Sequence, residues 1–221
     1  MNNPFERLPK WAGRRAGLLL ASGGILLIVG GLVIFVPPLV GVLQRSRADT
    51  KALQHWKDPG SALSSHLKVK TIQQPGTSPV ATAPTCGSGS AASSYALIDF
   101  PQLSGIEGVA GNGTWSMLLS RSVVHYSSSP APGQTGNGLW ALHREPNFEP
   151  LGTLKTGDTV VLTNRTCQQF TYVITNIWTE SPSQVTQLQP ISNGTWITVI
   201  TCTPLWIDTE RVVIRAQLQT S

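Results

Sequence analysis

Apolar residues are distributed unevenly along the chain, with one long run near the N-terminus and many short runs after about residue 95. The long run, AGLLLASGGILLIVGGLVIFV, covers residues 16–36, and no charged residue lies between Arg15 and Arg45. About 20 helical residues span the roughly 30 Å hydrocarbon core of a bilayer. The pattern therefore predicts one transmembrane helix over residues 16–43, after a tail at residues 1–15.

The alternative interpretation of this run is a cleaved signal peptide. Such a peptide has a shorter apolar region and a small-residue cleavage site after it, whereas VPPLVGVLQ follows here. An uncleaved signal anchor is therefore favoured, and the prolines at 37 and 38 are expected to end or kink the helix. Basic residues flank both ends of the run, and we expect the N-terminus in the cytoplasm and the rest outside the cell.

Residues 44–94 have the composition of an extracellular linker. The segment SRADTKALQHWKD favours a short helix that ends near Asp58, and TIQQPGTSPVATAPTCGSGSAASS is rich in Pro, Ser, Thr and Gly. A stretch with so few large apolar residues cannot bury enough surface to offset its ordering entropy.

Residues 95–221 contain short, strand-like apolar runs separated by turn residues. About six to eight such strands with few helices predict a mostly β domain, either a closed barrel or a sandwich. Asn-Gly-Thr-Trp occurs twice, at residues 112–115 and 193–196, and is interpreted as a hairpin-type turn that enters a strand. The predicted strands are ALIDF (96–100), GLWAL (138–142), DTVVLTN (158–164), FTYVITNIW (170–178), WITVITC (196–202) and ERVVIRAQL (210–218), while TWSMLLS (114–120) fits either a strand or a helical turn.

The net charge of +5 does not indicate a nucleic-acid partner, because the basic residues cluster around the long apolar run. Beyond Ser90 there are six basic and eight acidic residues, so the β domain is slightly acidic. A nucleic-acid-binding domain would need a basic face.

Three cysteines, Cys86, Cys167 and Cys202, make an odd number. In an exported protein this indicates a free reactive thiol, or one disulfide and one leftover cysteine. No pair has the spacing of a zinc site, so no metal is expected. From the residues alone, Cys202 is either a nucleophile at the end of a strand, a buried structural residue, or the partner of Cys167 in a disulfide.

Two further residues could act with Cys202. His143 lies where an apolar run passes into a loop and could transfer protons near neutral pH, with His125 as its rival. Arg211 begins the last predicted strand and could stabilise an oxyanion beside the thiol. Arg215, four residues later, would face the same side of that strand, and the spacing does not separate the two.

The segment from His125 to Arg211 resembles the sortase family of cell-surface transpeptidases. HYSSSPAPGQTGNGLWALHRE (125–145) is similar to the family's H-Y-x-x-T-x-x-P-G-x-x-G-N-x-x-x-A-G-H-R block, and FEPLGTLKTGDTVVL (148–162) resembles F-x-x-L-x-x-L-x-x-G-D-x-V-x-L. ITVITCTP (197–204) resembles T-L-x-T-C-x-P, and ERVVI (210–214) is similar to the closing R-L-V-V strand.

The resemblance implies a closed eight-stranded β-barrel with short helices over residues 95–221. It implies that Cys202 attacks an LPxTG-like sorting signal to give a thioacyl enzyme, that His143 moves protons, and that Arg211 rather than Arg215 supports substrate and oxyanion. The implied partners are secreted proteins with a C-terminal sorting signal and an amine acceptor on a peptidoglycan precursor or a pilin. No cofactor is implied.

Three residues depart from the family pattern. Leu142 replaces the usual Gly before the catalytic His, Ser129 stands near a frequent Thr, and Val199 replaces a frequent Leu. The N-terminal anchor makes the chain most similar to sortases of classes D to F.

Two other functions compete with this interpretation. A membrane-tethered β domain without catalytic activity could bind a peptide or a partner protein, with Cys167 and Cys202 joined in a disulfide. Transpeptidases of the L,D class also use His, Cys and Arg, but their cysteine lies in an S-x-G-C-x-R stretch that the residues around Cys202 do not match.

Overall fold

The structure, a computed structural model, describes residues 10–57, 86–87 and 89–219. The strands are β1 Ala96–Asp99, β2 Glu107–Gly113, β3 Val123–Tyr126, β4 Gly136–Leu142, β5 Thr159–Asn164, β6 Gln169–Glu180, β7 Thr195–Thr203 and β8 Glu210–Leu218. They form a closed barrel in which they neighbour one another in the order β1-β2-β3-β4-β7-β8-β6-β5, and β5 pairs with β1. The predicted mostly β fold with a closed eight-stranded barrel is thereby confirmed.

Alternation along the strands separates the barrel interior from its outer face. Trp140 and Leu142 of β4 belong to the buried core cluster, together with Ile197 and Val199 of β7. Because successive side chains of a strand point to opposite faces, the residues between them lie on the outer face. Cys202 shares that outer face with the residues two and four positions before it on β7.

The order of the strands brings three strand ends together. β4 and β7 are parallel neighbours, so their C-terminal ends lie at the same edge of the barrel. β7 and β8 are antiparallel neighbours, so β8 begins at that edge. Any side chains placed just beyond β4, at the end of β7 and at the start of β8 are therefore close together.

Among the described residues, three short 3₁₀-helices lie in the connections between strands, at Trp115–Leu119, Glu149–Thr153 and Thr186–Leu188. The first of these helices lies within TWSMLLS (114–120), so this segment is a helical turn and not a strand. It also shows that the first Asn-Gly-Thr-Trp segment enters this helix instead of a strand, so that interpretation was wrong. The second segment does lead into a strand, with Gly194 in a turn (φ +82°) just before β7.

The helix α1 covers Lys10–Lys57 and continues through the two prolines at 37 and 38, where an end or a kink was expected. Within the described part of the chain, no helix combines the length and the hydropathy needed to cross a membrane.

The last part of α1, Gln44–Lys57, belongs to the same compact unit as the barrel. Trp56 is buried, the Lys57 ammonium forms an ion pair with Glu107, and Asp49 accepts a hydrogen bond from the backbone N–H of Ser122. The helix predicted over SRADTKALQHWKD is present and ends at Lys57, but it packs against the barrel instead of lying free in a linker. Residues 58–85 lie outside the described residues.

A disulfide joins Cys86 to Cys167 in the turn between β5 and β6, with the two Cα atoms 5.1 Å apart. The backbone N–H of Cys86 also donates to the carbonyl of Arg165. The C-terminal part of the predicted linker is thus fixed to the barrel by a covalent bond. Cys202 is left as the free cysteine among the residues that the structure describes.

Candidate active site

The register of three neighbouring strands brings together His143, Cys202 and Arg211. The pairing of β4 with β7 ends at Leu142 opposite Thr201, and the next residue on each chain segment is His143 and Cys202. On the other side of β7, Cys202 lies directly opposite Arg211 of β8. Adjacent strands are about 4.8 Å apart, so a thiol, an imidazole and a guanidinium meet at one edge of the barrel.

The Cys202 thiol is half-buried. Burial raises its pKa above the ordinary value, because a thiolate loses hydration there. The Arg211 guanidinium acts in the opposite direction, while the carboxylates of Asp208 and Glu145 raise the pKa further. The neutral thiol is therefore the resting form at neutral pH, and a base is needed to generate the nucleophile.

His143 is held by its backbone and by its ring. Its backbone N–H donates to the carbonyl of Ser122, and its Nε2 lies 2.7 Å from the carbonyl oxygen of Leu118. A carbonyl only accepts hydrogen bonds, so Nε2 carries the hydrogen and Nδ1 is the basic atom of the neutral ring. The imidazole is thus oriented by the 3₁₀-helix that precedes β3, in a tautomer that can accept a proton.

The two candidate arginines of β8 have different surroundings. Arg211 faces Cys202, and its Nη1 donates to the carbonyls of Asp208 (3.0 Å) and Glu210 (2.9 Å). Arg215 pairs with Thr198, four residues before the cysteine, and stacks over the Trp178 ring at 5.1 Å. Arg211 is therefore the guanidinium beside the thiol, and Arg215 lies farther along the same outer face.

The rival histidine, His125, is a buried residue of β3 that pairs with Trp140. Its ring stacks on Tyr95 at 4.7 Å, and Nε2 donates to the Pro130 carbonyl over 3.1 Å. Burial lowers the pKa of His125 to about 4, against the opposite effect of the hydrogen bond to Pro130. Its pairing with a core residue instead of with the strand of the cysteine indicates a structural role.

A groove of about 380 Å³ opens on the outer face, between β4, the loop before it and the loop between β6 and β7. Its walls are largely apolar: Leu139, Leu188, Pro190, Ile191 and the ring of Tyr126, which stacks on Trp115 at 4.7 Å. Leu139 lies four residues before His143 on β4. At about 3.3 Å per residue, the groove begins roughly 13 Å from His143.

A polar network fixes the β6–β7 loop as one wall of this groove. Arg215 Nη2 donates to the carbonyl of Gln187 over 3.3 Å, and Asn137 Nδ2 donates to the same carbonyl. Thr198 Oγ1 donates to Asn137 Oδ1 over 2.8 Å and accepts from Arg215 Nε. Glu180 accepts from Thr186 in the loop. The loop is therefore held by side chains from β4, β6, β7 and β8.

Sequence reasoning missed Asn137, Thr198 and Glu145 as residues of this region. Asn137 lies within the stretch 125–145 that resembles the family's block, but its hydrogen bond to a loop 50 residues later leaves no local signal. Glu145 is a buried carboxylate two residues after His143, whose only available signal was its place beside a candidate base. In the described parts of the chain, no group of three or more His, Cys, Asp or Glu side chains is placed to hold a metal ion.

A family model described as "Sortase domain" matches residues 98–219, which is more than half of the chain and includes all three of the converging side chains. The chain belongs to the sortase family. Sortases are cysteine transpeptidases, and this sortase is accordingly an enzyme of that class.

Solved structures of sortases share the fold of this sortase. A Clostridium perfringens sortase D5 transpeptidase is 20% identical, with a TM-score of 0.54 over 80% of this chain and 98% of that chain. Sortase A from Corynebacterium diphtheriae is 24% identical, with a TM-score of 0.52 over 58% and 61% of the two chains. Sortase C from C. perfringens with the C-terminal cell wall sorting motif is 22% identical, with a TM-score of 0.51 over 57% and 70%. No curated protein matches the chain.

Proposed function

We propose that this sortase cleaves an LPxTG-like sorting signal on a secreted protein and transfers it to an amine, with Cys202 as nucleophile, His143 as proton carrier and Arg211 as oxyanion partner. The observation that carries the proposal is the free thiol of Cys202, directly paired with Arg211 and next in register to His143.

The proposed reaction has two steps that exchange one acyl bond for another. With its proton taken up by His143, the sulfur of Cys202 attacks the scissile carbonyl carbon, and Arg211 stabilises the oxyanion. The C–N bond then breaks, the leaving amine takes the proton from His143, and a thioester remains. The acceptor amine attacks that thioester, gives its proton to the imidazole, and expels the thiolate.

The apolar groove supports a sorting signal that begins with hydrophobic residues. It begins about 13 Å along β4 from His143, and an extended peptide covers that distance with about four residues. A peptide whose first apolar residues occupy the groove would therefore place the carbonyl of its fourth residue beside Cys202. This matches the spacing of an LPxT segment.

The proposed acceptor is an amino group on a peptidoglycan precursor or on a pilin subunit, and the reaction then anchors a protein to the cell wall or links pilins. The sortase C described above, with its cell wall sorting motif, supports a substrate of this chemical class. The similarity to sortases of classes D to F stays a prediction.

We also propose that residues 16–43 anchor the enzyme in the cell membrane by a single pass, with the N-terminus in the cytoplasm and the catalytic domain outside. The uncharged segment between Arg15 and Arg45 and its basic flanks support this. Alkaline carbonate extraction of membranes, followed by protease treatment of intact cells, tests it. Release of the chain by carbonate, or protection of the barrel from external protease, would contradict the anchor or its orientation.

The alternative of a non-catalytic binding domain required Cys202 to be bridged to Cys167. In the structure Cys167 is bonded to Cys86, so that bridge is not formed. Alkylation of the native, unreduced protein separates the two functions: the enzyme has a reactive Cys202, whereas a binding module with a bridged Cys202 does not.

The test of the proposed function is to incubate the full-length chain with a library of LPxTG-like peptides and several amines, and to analyse it by mass spectrometry. A peptide adduct on Cys202 that the amine discharges is expected. The Cys202→Ala variant should form neither the adduct nor the product. Undiminished product from that variant would refute the nucleophile.

A further inference from the structure

The loop between β7 and β8, residues 204–209, connects the strand of Cys202 to the strand of Arg211. It exposes two large apolar side chains, Trp206 and Ile207, each 65% exposed. Trp206 (φ 64°) and Asp208 (φ 59°) both have left-handed backbone conformations. Residues other than glycine adopt these conformations at a cost of about 1 kcal/mol or more, so contacts outside the loop must stabilise it.

Glu145 provides such a contact. This residue lies two positions after His143 and is only 8% exposed. Its Oε1 accepts a hydrogen bond from the backbone N–H of Trp206 over 2.7 Å. A buried carboxylate is stable only when it is paired or hydrogen-bonded, and a charged acceptor forms one of the stronger hydrogen bonds in proteins. The contact therefore fixes the tip of the loop to the chain segment that follows β4.

The same loop holds the guanidinium of Arg211. Inside the loop, the N–H groups of Ile207 and Asp208 both donate to the Pro204 carbonyl, over 3.1 and 3.0 Å. The carbonyl of Asp208 then accepts from Arg211 Nη1 over 3.0 Å. Glu145 is thus connected to Arg211 through the folded backbone of one short loop.

The carboxylate of Glu145 also affects the charge of the thiol. The groups that face Cys202 are His143 and Glu145 from the end of β4, Asp208 from the loop, and Arg211 from β8. Burial raises the pKa of Cys202 most, and the Glu145 carboxylate adds to that increase. The charge of Glu145 therefore disfavours the Cys202 thiolate. Through the loop, the same residue holds Arg211, whose charge favours the thiolate.

We propose that Glu145 is a positioning residue, which locks the β7–β8 loop and thereby holds Arg211 against the thiol of Cys202. This inference rests on the proposed function of Arg211. It implies that Glu145 influences the rate of acyl transfer through Arg211, without contact with the substrate.

The experiment compares Glu145→Ala, Glu145→Gln and the control Glu149→Gln in the full-length chain. Glu149 is an exposed carboxylate four residues farther on, in the 3₁₀-helix Glu149–Thr153. Glutamine at 145 keeps an oxygen that accepts from Trp206 but removes the charge. Alanine removes both.

We expect Glu145→Ala to lower kcat about tenfold with a smaller effect on KM, and to accelerate hydrogen exchange in residues 204–209. Glu145→Gln should recover most of kcat and of the protection, and the midpoint of Cys202 alkylation should move to lower pH, because the variant removes a carboxylate that raises the pKa of the thiol. Glu149→Gln should match the wild type in every measurement.

Alkylation and hydrogen exchange need no peptide, so they test the loop even if the proposed transpeptidation fails. One result would overturn the inference: exchange in residues 204–209 that is equal in Glu145→Ala and Glu149→Gln. If Glu145→Ala does not fold, Glu145→Asp takes its place in the exchange measurement, because the shorter side chain draws the carboxylate back from the backbone N–H of Trp206.

Discussion

Cys202 and Arg211 are directly opposite each other on the antiparallel strands β7 and β8. In such a pair the Cβ atoms lie about 4.5–5.5 Å apart and the side chains share one face of the sheet. The relationship depends on backbone hydrogen bonding along both strands, and not on the conformation of a loop. It places a permanent cation next to a thiol whose pKa burial raises.

The first prediction concerns the ionisation of this thiol. Arg211 lowers the pKa of Cys202 against the larger effect of burial, so Arg211→Ala should shift the alkylation curve to higher pH and reduce kcat at least tenfold. Arg215→Ala is the matched control, because it removes a guanidinium from the same strand four residues away. The rate of iodoacetamide reaction, measured from about pH 6 to 10, reports the shift. A larger shift in the Arg215 variant would mean that the wrong arginine was assigned.

The second prediction separates the two histidines of the barrel. His143→Ala should reduce transpeptidation by two orders of magnitude or more, because it removes the base next in register to Cys202. His125→Gln should retain most activity per folded molecule, because His125 pairs with the core residue Trp140. Product formation, normalised to the folded fraction by circular dichroism, decides between them. Loss of activity in the His125 variant with full activity in the His143 variant would reverse the assignment.

The positions of His143, Cys202 and Arg211 at neighbouring strand ends could be predicted from the sequence, because each residue lies at the end of an apolar or β-branched run. Runs such as WITVITC and ERVVIRAQL predict strands from their β-branched residues alone, and β7 and β8 lie there. β2 was missed because its sequence, EGVAGNG, is rich in glycine, which is unfavourable in strands. Its pairing with β1 and β3 stabilises it, and such partners are distant in sequence.

The residues around these three residues were harder to predict because their contacts join distant segments. Glu145 accepts a hydrogen bond from the backbone N–H of Trp206, and Asn137 donates one to the backbone carbonyl of Gln187. Every residue except proline carries the same backbone donor and acceptor, so the sequence of a loop does not reveal which of its backbone groups binds a distant side chain. The pairing of Cys167 with Cys86 was likewise open, because three cysteines permit three different disulfides.

The third prediction concerns the wall of the groove. Arg215→Met keeps the apolar stem of the side chain but loses the donors to Gln187 and Thr198. The β6–β7 loop should then exchange its amide hydrogens faster, and KM for the peptide should rise about tenfold while kcat changes less than twofold.

The control for the groove is Gln217→Met, an exposed position on the same strand two residues farther on. It should leave both KM and the exchange of residues 185–191 unchanged. If Arg215→Met lowered kcat with KM unchanged, Arg215 would be acting at the thiol and not on the groove wall.

The fourth prediction is a dependence of stability on pH that comes from His125. Its pKa is about 4 in the folded protein and about 6.5 in an unfolded chain, because burial disfavours the charged ring. Between these values the unfolded chain binds more protons, so stability is complete above about pH 6.5 and falls as the pH approaches 4. At about 1.4 kcal/mol per unit, the loss amounts to roughly 3 kcal/mol.

His125→Gln tests this effect, because glutamine does not titrate and can still donate to the Pro130 carbonyl. The free energy of unfolding of both proteins is measured in urea at about pH 4.5, 5.5 and 7. Burial raises the pKa of Asp49 and of Asp99, and those carboxyls add a pH dependence of the opposite sign. That contribution is common to both proteins and cancels in their difference. The wild type should therefore lose more stability than the variant on acidification, and two parallel curves would show that His125 does not titrate in this range.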